Sequence, residues 1–342
     1  VTGQPAIYWT NKGSLGISFF LTEELMNTSV DSHLSCGAKK HKGGNVMRRK
    51  FMSMALTAAM VLSMAATPVF AEDTASDEGF NLNLCIASEP QTIDPALNSA
   101  VDGAIMCNHM FEGLAKWVND GEGNAVTAPG QAESWEKTEN EDGTVTYTVK
   151  LRDGIKWSDG QAVTAGDFVY AWQRLANPET AADYCYMIDM VKGYDAIADG
   201  SADPSTLGIT AVDDQTLQID LTYDCPYFEE IMAFPATFPV RQDMVESSDN
   251  WTFDPSTYIG NGPYKMTEWS HNAYISMEKN ENYYDYENLG PDTIKFTLLD
   301  DNNAMLKGYN NGELDFIENL PVDEIPTYLA SGELEIGDYL GT

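Results

Sequence analysis

From residue 80 to residue 86, Leu82, Leu84 and Ile86 alternate with Asn81 and Asn83, the period of two that marks a short strand. The stretch 88–95 that follows carries Pro90 and Pro95 and predicts an irregular, extended path. Ile105, Met106, His109, Met110 and Leu114 then recur at helical spacing, with Gly113 near the end, and predict one packed helix. Val145, Tyr147, Val149 and Leu151 alternate after an Asp142-Gly143 turn, giving a strand over 144–151. Thr164-Ala165-Gly166-Asp167 is a helix start, with a hydroxyl to cap free amides and a carboxylate suited to the positive end. Phe168, Ala171, Trp172 and Leu175 mark the buried face of that helix, and Asn177-Pro178 stops it. Two hairpins are predicted further on, 209–212 with 216–221 and 264–269 with 274–277. Strand 294–299, helix 302–310, Gly312 and strand 314–317 complete a β-α-β unit, whose strands run parallel, so the fold class is α/β.

One segment breaks this pattern. Met47 is followed by Arg48, Arg49 and Lys50, an apolar run over 51–66, and then Pro68-Val69-Phe70-Ala71. A basic start, a short apolar stretch and small residues before a cut after Ala71 describe a secretory signal peptide over 47–71, whereas a membrane span wants about 20 apolar residues. No cysteine follows the run directly, so the lipid-anchored version of the signal is not visible. Export signals act at a chain's N-terminus, and residues 1–46 are therefore expected to be an untranslated leader or an extension with no fold of its own. Lys42-Gly43-Gly44, which AAAGGAGGA can encode, would place a ribosome-binding sequence just ahead of Met47. Residues 72–79 read as a disordered start of the mature chain.

Charge narrows the function. The 342 residues carry 19 Lys and Arg against 53 Asp and Glu, a formal charge of -34. Removing residues 1–71 leaves 12 basic against 50 acidic. Such a surface repels nucleic acid and anionic lipid. The acidic residues are scattered among persistent aromatics, which describes a solvated folded surface. Cys85, Cys107, Cys185 and Cys225 are an even set in an exported chain; disulfides are permitted and their pairing is open.

Catalytic and metal chemistry find little material. Beyond residue 71 the histidines are His109, on the helical pattern and read as structural, and His271, at a hairpin tip and read as solvated. Cys107 and His109 with Cys85 lack metal-ligand spacing, so no metal and no cofactor is expected. Gly260-Asn261-Gly262-Pro263 lacks the Lys-Ser/Thr of a phosphate loop and reads as a tight turn.

Several motifs, taken in order, resemble the extracellular solute-binding proteins of oligopeptide and dipeptide ABC importers. They are EPQTIDP over 89–95, FEGL over 111–114, GQAESW over 130–135, LRDGIKWSDGQAVTAGDFVYAWQR over 151–174, CPYF over 225–228, GNGPY over 260–264 and NGELDF over 311–316. The resemblance implies a type II periplasmic binding protein-like fold, a two-lobed clamp that closes on an extended peptide and presents it to a membrane permease. It implies a discontinuous first lobe from 80–111 and 242–341, a domain inserted at 112–241, and a second lobe largely lying beyond Thr342. By the same resemblance a ligand-facing strand holds Ala100 and Val101 as main-chain partners, and Tyr184, Asn319 and Gly341 fall at contact positions. A monomer without enzyme activity is implied. The alternatives are a secreted hydrolase, or the same fold serving nickel, haem or an oligosaccharide; Trp117, Trp157 and Trp251 are read as exposed aromatics that do not exclude a sugar.

Overall fold

The computed structural model describes residues 80–86, 88–121, 124–317 and 319–332, with the backbone of two further strands at 5–9 and 334–338. The stretch 47–71 expected to be a signal peptide, the stretch 72–79 and Gly341 lie outside the described residues, as does the stretch 1–46 apart from 5–9. In chain order the strands are β1 (Pro5–Trp9), β2 (Asn81–Ile86), β3 (Ala115–Asn119), β4 (Ala125–Pro129), β5 (Ala132–Glu139), β6 (Val145–Leu151), β7 (Ile209–Asp213), β8 (Thr216–Leu221), β9 (Tyr264–Ser270), β10 (Tyr274–Lys279), β11 (Thr293–Leu298) and β12 (Leu334–Asp338). The helices are α1 (Val101–Met110), α2 (Ala165–Ala176), α3 (Tyr194–Ala198), α4 (Phe228–Ile231), α5 (Gln242–Val245), α6 (Asn302–Asn310) and α7 (Ile325–Ser331). Among the described residues no helix is long and apolar enough to cross a membrane.

Two four-stranded sheets organise the chain. One runs β2-β11-β10-β9, with β2 and β11 parallel and the rest antiparallel; the other runs β5-β6-β8-β7 and is antiparallel throughout. The second sheet takes all its strands from 132–221, the first from 81–86 and 264–298. The alternation in β6 and β8 puts Val145, Tyr147, Val149, Leu151, Leu217, Ile219 and Leu221 on one buried face. Against it packs α2, which buries Phe168, Ala171, Trp172 and Leu175 as its spacing predicts. The Thr164 amide donates to Asp167 Oδ2 at 2.7 Å, one arm of the expected capping box. One continuous core joins both sheets, from Leu82 through Trp172 to Leu320.

The structure departs from the sequence reading at several elements. Helix α1 occupies Val101–Met110 rather than continuing to Leu114. Phe111 turns extended while its amide still donates to the Cys107 carbonyl, and the Gly262 amide takes the carbonyl of Met110 at 3.0 Å. Leu114 is thus buried by tertiary contact, not by helical periodicity. The segment 314–317 forms no strand: the Asp315 amide donates to the Asn83 carbonyl, but the Asn83 amide donates to the Asp315 side chain, so a carboxylate replaces the second ladder bond. Within 1–46, where no element was expected, Pro5–Trp9 pairs antiparallel with Leu334–Asp338. Its Ile7, Tyr8 and Trp9 are residue types that favour extended pairing.

His109 is fully buried. Its Nδ1 donates to the Ile105 carbonyl at 2.7 Å, its Nε2 has no partner, and its ring packs edge-on against Phe296 with centroids 5.3 Å apart. Burial pushes its pKa down to about 4. The folded protein therefore holds a neutral imidazole that the unfolded chain protonates below about pH 6.5. This group's contribution is unchanged above that pH and becomes progressively destabilising as pH falls from 6.5 toward 4, by about 2 to 3 kcal/mol at pH 4.5. His109→Phe should remove that part of the acid sensitivity. Urea midpoints of both proteins at pH 7 and 4.5 check it; an unchanged difference between them would contradict the assignment.

Candidate functional site

The segment leading to Ala100 is anchored through Asp94, which is only 2% exposed. Both oxygens of this carboxylate accept from Arg174 of α2, at 2.8 and 2.6 Å, and Oδ2 also accepts from Trp251 Nε1 at 3.3 Å. Its carbonyl accepts the amides of Leu97 and Asn98, closing the turn ahead of α1. The neighbouring Ile93 carbonyl accepts from the hydroxyl of Tyr258 at 2.5 Å.

Ala100 is extended, as expected, but it is the N-cap of a helix, and Val101 is that helix's first residue. The expected ligand-facing strand is thus a single extended residue followed by a helix. The Ala100 carbonyl accepts from Ala104 at 3.0 Å and from Asn98 Nδ2 at 3.0 Å, and its amide donates to Asn98 Oδ1 at 3.3 Å. Asn98 thereby occupies both backbone groups that a peptide would use, and a ligand pairing with Ala100 has to displace it. Val101 is 70% exposed and offers an apolar surface at the start of α1.

Tyr184 lies in the segment between α2 and α3. It precedes the 3-10 turn Cys185–Ile188 and is half-buried, its ring edge-on to Phe234 with centroids 5.2 Å apart. Phe234 in turn leads into the 3-10 turn Pro235–Thr237, which packs on α1 and α2. A short path of contacts therefore connects Tyr184 with the helix that Val101 begins. Asn319 is exposed and follows, by four residues, the Asp315 contact with β2. Ala100 and Asn319 both come after segments joined to β2, whose C-terminal end, with that of its parallel neighbour β11, is the usual ligand edge of an α/β sheet.

A second polar joint holds the two sheets in register. Glu112, just beyond α1, accepts from Gln131 Nε2 at 2.7 Å and from the hydroxyls of Tyr283 and Tyr284 at 2.6 and 3.2 Å, with Lys116 at 3.6 Å. Asn261 brackets its backbone, accepting from the Glu112 amide and donating to its carbonyl. Burial and the adjacent Glu112 charge push Tyr283 well above its ordinary pKa and Tyr284 up to about 12, so both stay protonated as donors. A cleft of about 40 Å³ beside Glu112 has room for a few waters and not for a ligand. The network is therefore structural, and sequence reasoning missed it: Glu112 was visible only within a four-residue motif.

The tryptophans do not offer a sugar platform as a group. Trp117 is partly exposed, but Trp157 and Trp251 are buried, at 0% and 4% exposure, and the Trp251 ring packs on Tyr258. His271 is at the β9–β10 tip, as expected, yet it is not simply solvated: its Nδ1 meets Glu89 Oε1 at 2.5 Å. Cys107, Cys185 and Cys225 are free thiols, and the Cys85 thiol donates to the Leu299 carbonyl at 3.6 Å. Among the described residues no group of three or more His, Cys, Asp or Glu is arranged to hold a metal ion.

Comparison with known proteins places this geometry. Residues 127–341 match the family model of bacterial extracellular solute-binding proteins, family 5, middle. The oligopeptide-binding protein OppA of Bacillus subtilis is 34% identical over 76% of this chain and 47% of its own length. The periplasmic murein peptide-binding protein MppA of Escherichia coli is 37% identical over 69% of this chain and 43% of its own. Among solved structures, Haemophilus influenzae OppA in complex with the peptide RPPGFSPFR superposes with a TM-score of 0.68 at 32% identity, over 75% of this chain and 49% of that one. The chain thus spans about half the length of the relatives it matches, and its described part carries the mixed α/β architecture of type II periplasmic binding proteins. On the family match and the shared fold, the chain belongs to the bacterial extracellular solute-binding proteins, family 5.

Proposed function

We propose that the chain is the peptide-capturing component of an ABC importer, exported behind the signal segment 47–71, and that it delivers its ligand to a membrane permease as a monomer without catalysing a reaction. One observation carries this reading: three quarters of the chain shares fold and sequence with a relative holding a peptide. Ala100, Val101, Tyr184, Asn319 and Gly341 are the proposed contacts. Backbone pairing holds a peptide of any sequence, and watery pockets accept its varied side chains. Closure of a clamp on an occupied site would report the ligand to the permease, since the ligand favours the state in which it touches both walls.

A clamp gains affinity by surrounding its ligand, and a chain half the length of its relatives supplies fewer of those contacts. Binding in the millimolar range is expected, with unrelated short peptides falling within about 2 kcal/mol of each other. Titration of the ¹⁵N-labelled chain with short peptides, nickel and maltotriose checks this, read at the amides of Ala100 and Tyr184. Responses to nickel or the sugar with none to any peptide would overturn the reading.

A further inference from the structure

Beside Tyr184 the chain exposes a second tyrosine. Tyr186 is 55% exposed, and its ring centroid is 6.1 Å from that of Tyr184. It lies within the 3-10 turn Cys185–Ile188, and the Asp189 amide donates to its carbonyl at 3.1 Å. Side chains three apart in such a turn eclipse one another, so the Tyr186 ring and the Asp189 carboxylate share one face. From the loop after β8, Tyr223, 46% exposed, brings its hydroxyl to 3.5 Å from Asp189 Oδ1. Asp189 forms no ion pair among the described residues, although Lys137, Lys150 and Arg174 of the same sheet and helix layer are each paired with a carboxylate.

A carboxylate without an ion pair, in contact with one exposed phenol and three residues along a turn from another, has the composition of a cation site. The ring faces attract ammonium and guanidinium groups, and the carboxylate supplies the counter-charge. The net charge of -34 concentrates cationic ligands near the surface as a whole. We propose that Tyr186, Asp189 and Tyr223 form a subsite for a lysine or arginine side chain of a bound peptide, so that this chain prefers cationic over acidic peptides. The proposal rests on the peptide-binding reading, through the position given to Tyr184.

Titrating the full chain with trilysine, trialanine and triglutamate at 0.15 M salt, read at the amides of Tyr184 and Tyr186, tests it. Trilysine should bind about 10-fold more tightly than triglutamate, with trialanine between them. Tyr186→Ala and Asp189→Asn should each lower that ratio to about 2-fold. Glu141→Gln, which removes the same charge at the tip of the β5–β6 hairpin, should leave it in place. Circular dichroism confirms that these surface variants fold. A ratio that survives both Tyr186→Ala and Asp189→Asn, or that falls equally with Glu141→Gln, would assign the preference to the diffuse field and overturn the subsite. Equal binding of the three peptides would overturn it too, leaving the peptide-binding reading intact. The absence of any response at Ala100 or Tyr184 to all three would remove both.

Discussion

Gly260→Ala should leave little folded protein. A Cβ at this position would lie 1.8 Å from the Met110 carbonyl oxygen and 2.9 Å from its carbon, both backbone atoms at the end of α1. No side-chain rotation relieves such an overlap; the 260–263 turn would have to lift off the helix. That turn also carries the Gly262 amide bond to Met110, the Asn261 bracket around Glu112 and the Gly260 carbonyl that accepts from Ser158. The expected loss is upward of about 4 kcal/mol, in the range reached when a close-packed backbone contact is forced apart. Gly166→Ala is the matched control. Its added methyl meets only Thr164 Oγ1, at 3.4 Å, inside helix α2, where alanine is the better helix former, so that variant should gain a few tenths of a kcal/mol. Urea denaturation of both variants checks the pair; a Gly260→Ala protein within about 1 kcal/mol of the parent would refute the close approach.

Asp94→Ala is expected to cost about 4 kcal/mol. The substitution removes both bonds to Arg174 and the Trp251 contact, and it leaves a guanidinium, itself largely buried, without its partner. Desolvation lowers the pKa of Arg174 and the bonded Asp94 carboxylate more than offsets it; once Asp94 is removed the group still remains a cation, because a guanidinium is not deprotonated in proteins. Because the penalty comes from the stranded charge, the double variant Asp94→Ala with Arg174→Leu should be more stable than Asp94→Ala alone. A double variant as unstable as the sum of the two singles would show that the pair is not coupled.

Legibility of the fold followed burial geometry. Strands β6 and β8 and helix α2 bury one face and expose the other, so their period is written in the residues. Strand β5 was missed because Ala132–Glu139 is exposed along most of its length and pairs only with β6; without a buried face there is no alternation to read. Hairpin β3–β4 was missed for the same reason, being partly exposed along nearly its whole course. Helix α1 was placed four residues late, because apolar residues continue past its end into Phe111 and Leu114, where contacts with the 260–263 turn take over.

The candidate site divides in the same way. Motifs such as those over 89–95 and 151–174 are local in the chain, and local order was sufficient to point to the family and its class of fold. The acidic balance is likewise a property of composition, readable without any coordinates. Which residues meet is a different kind of fact. Asp94 and Arg174 are 80 positions apart, Glu112 and Tyr283 are 171 apart, and Asp189 reaches Tyr223 across 34. Nothing in the spacing of such residues distinguishes a buried partner from a solvated charge in a chain with 53 carboxylates. Only packing decides that, because it removes water from Asp94 and Glu112 and leaves Asp189 in it, and so determines which acids hold the fold together and which remain available to a ligand.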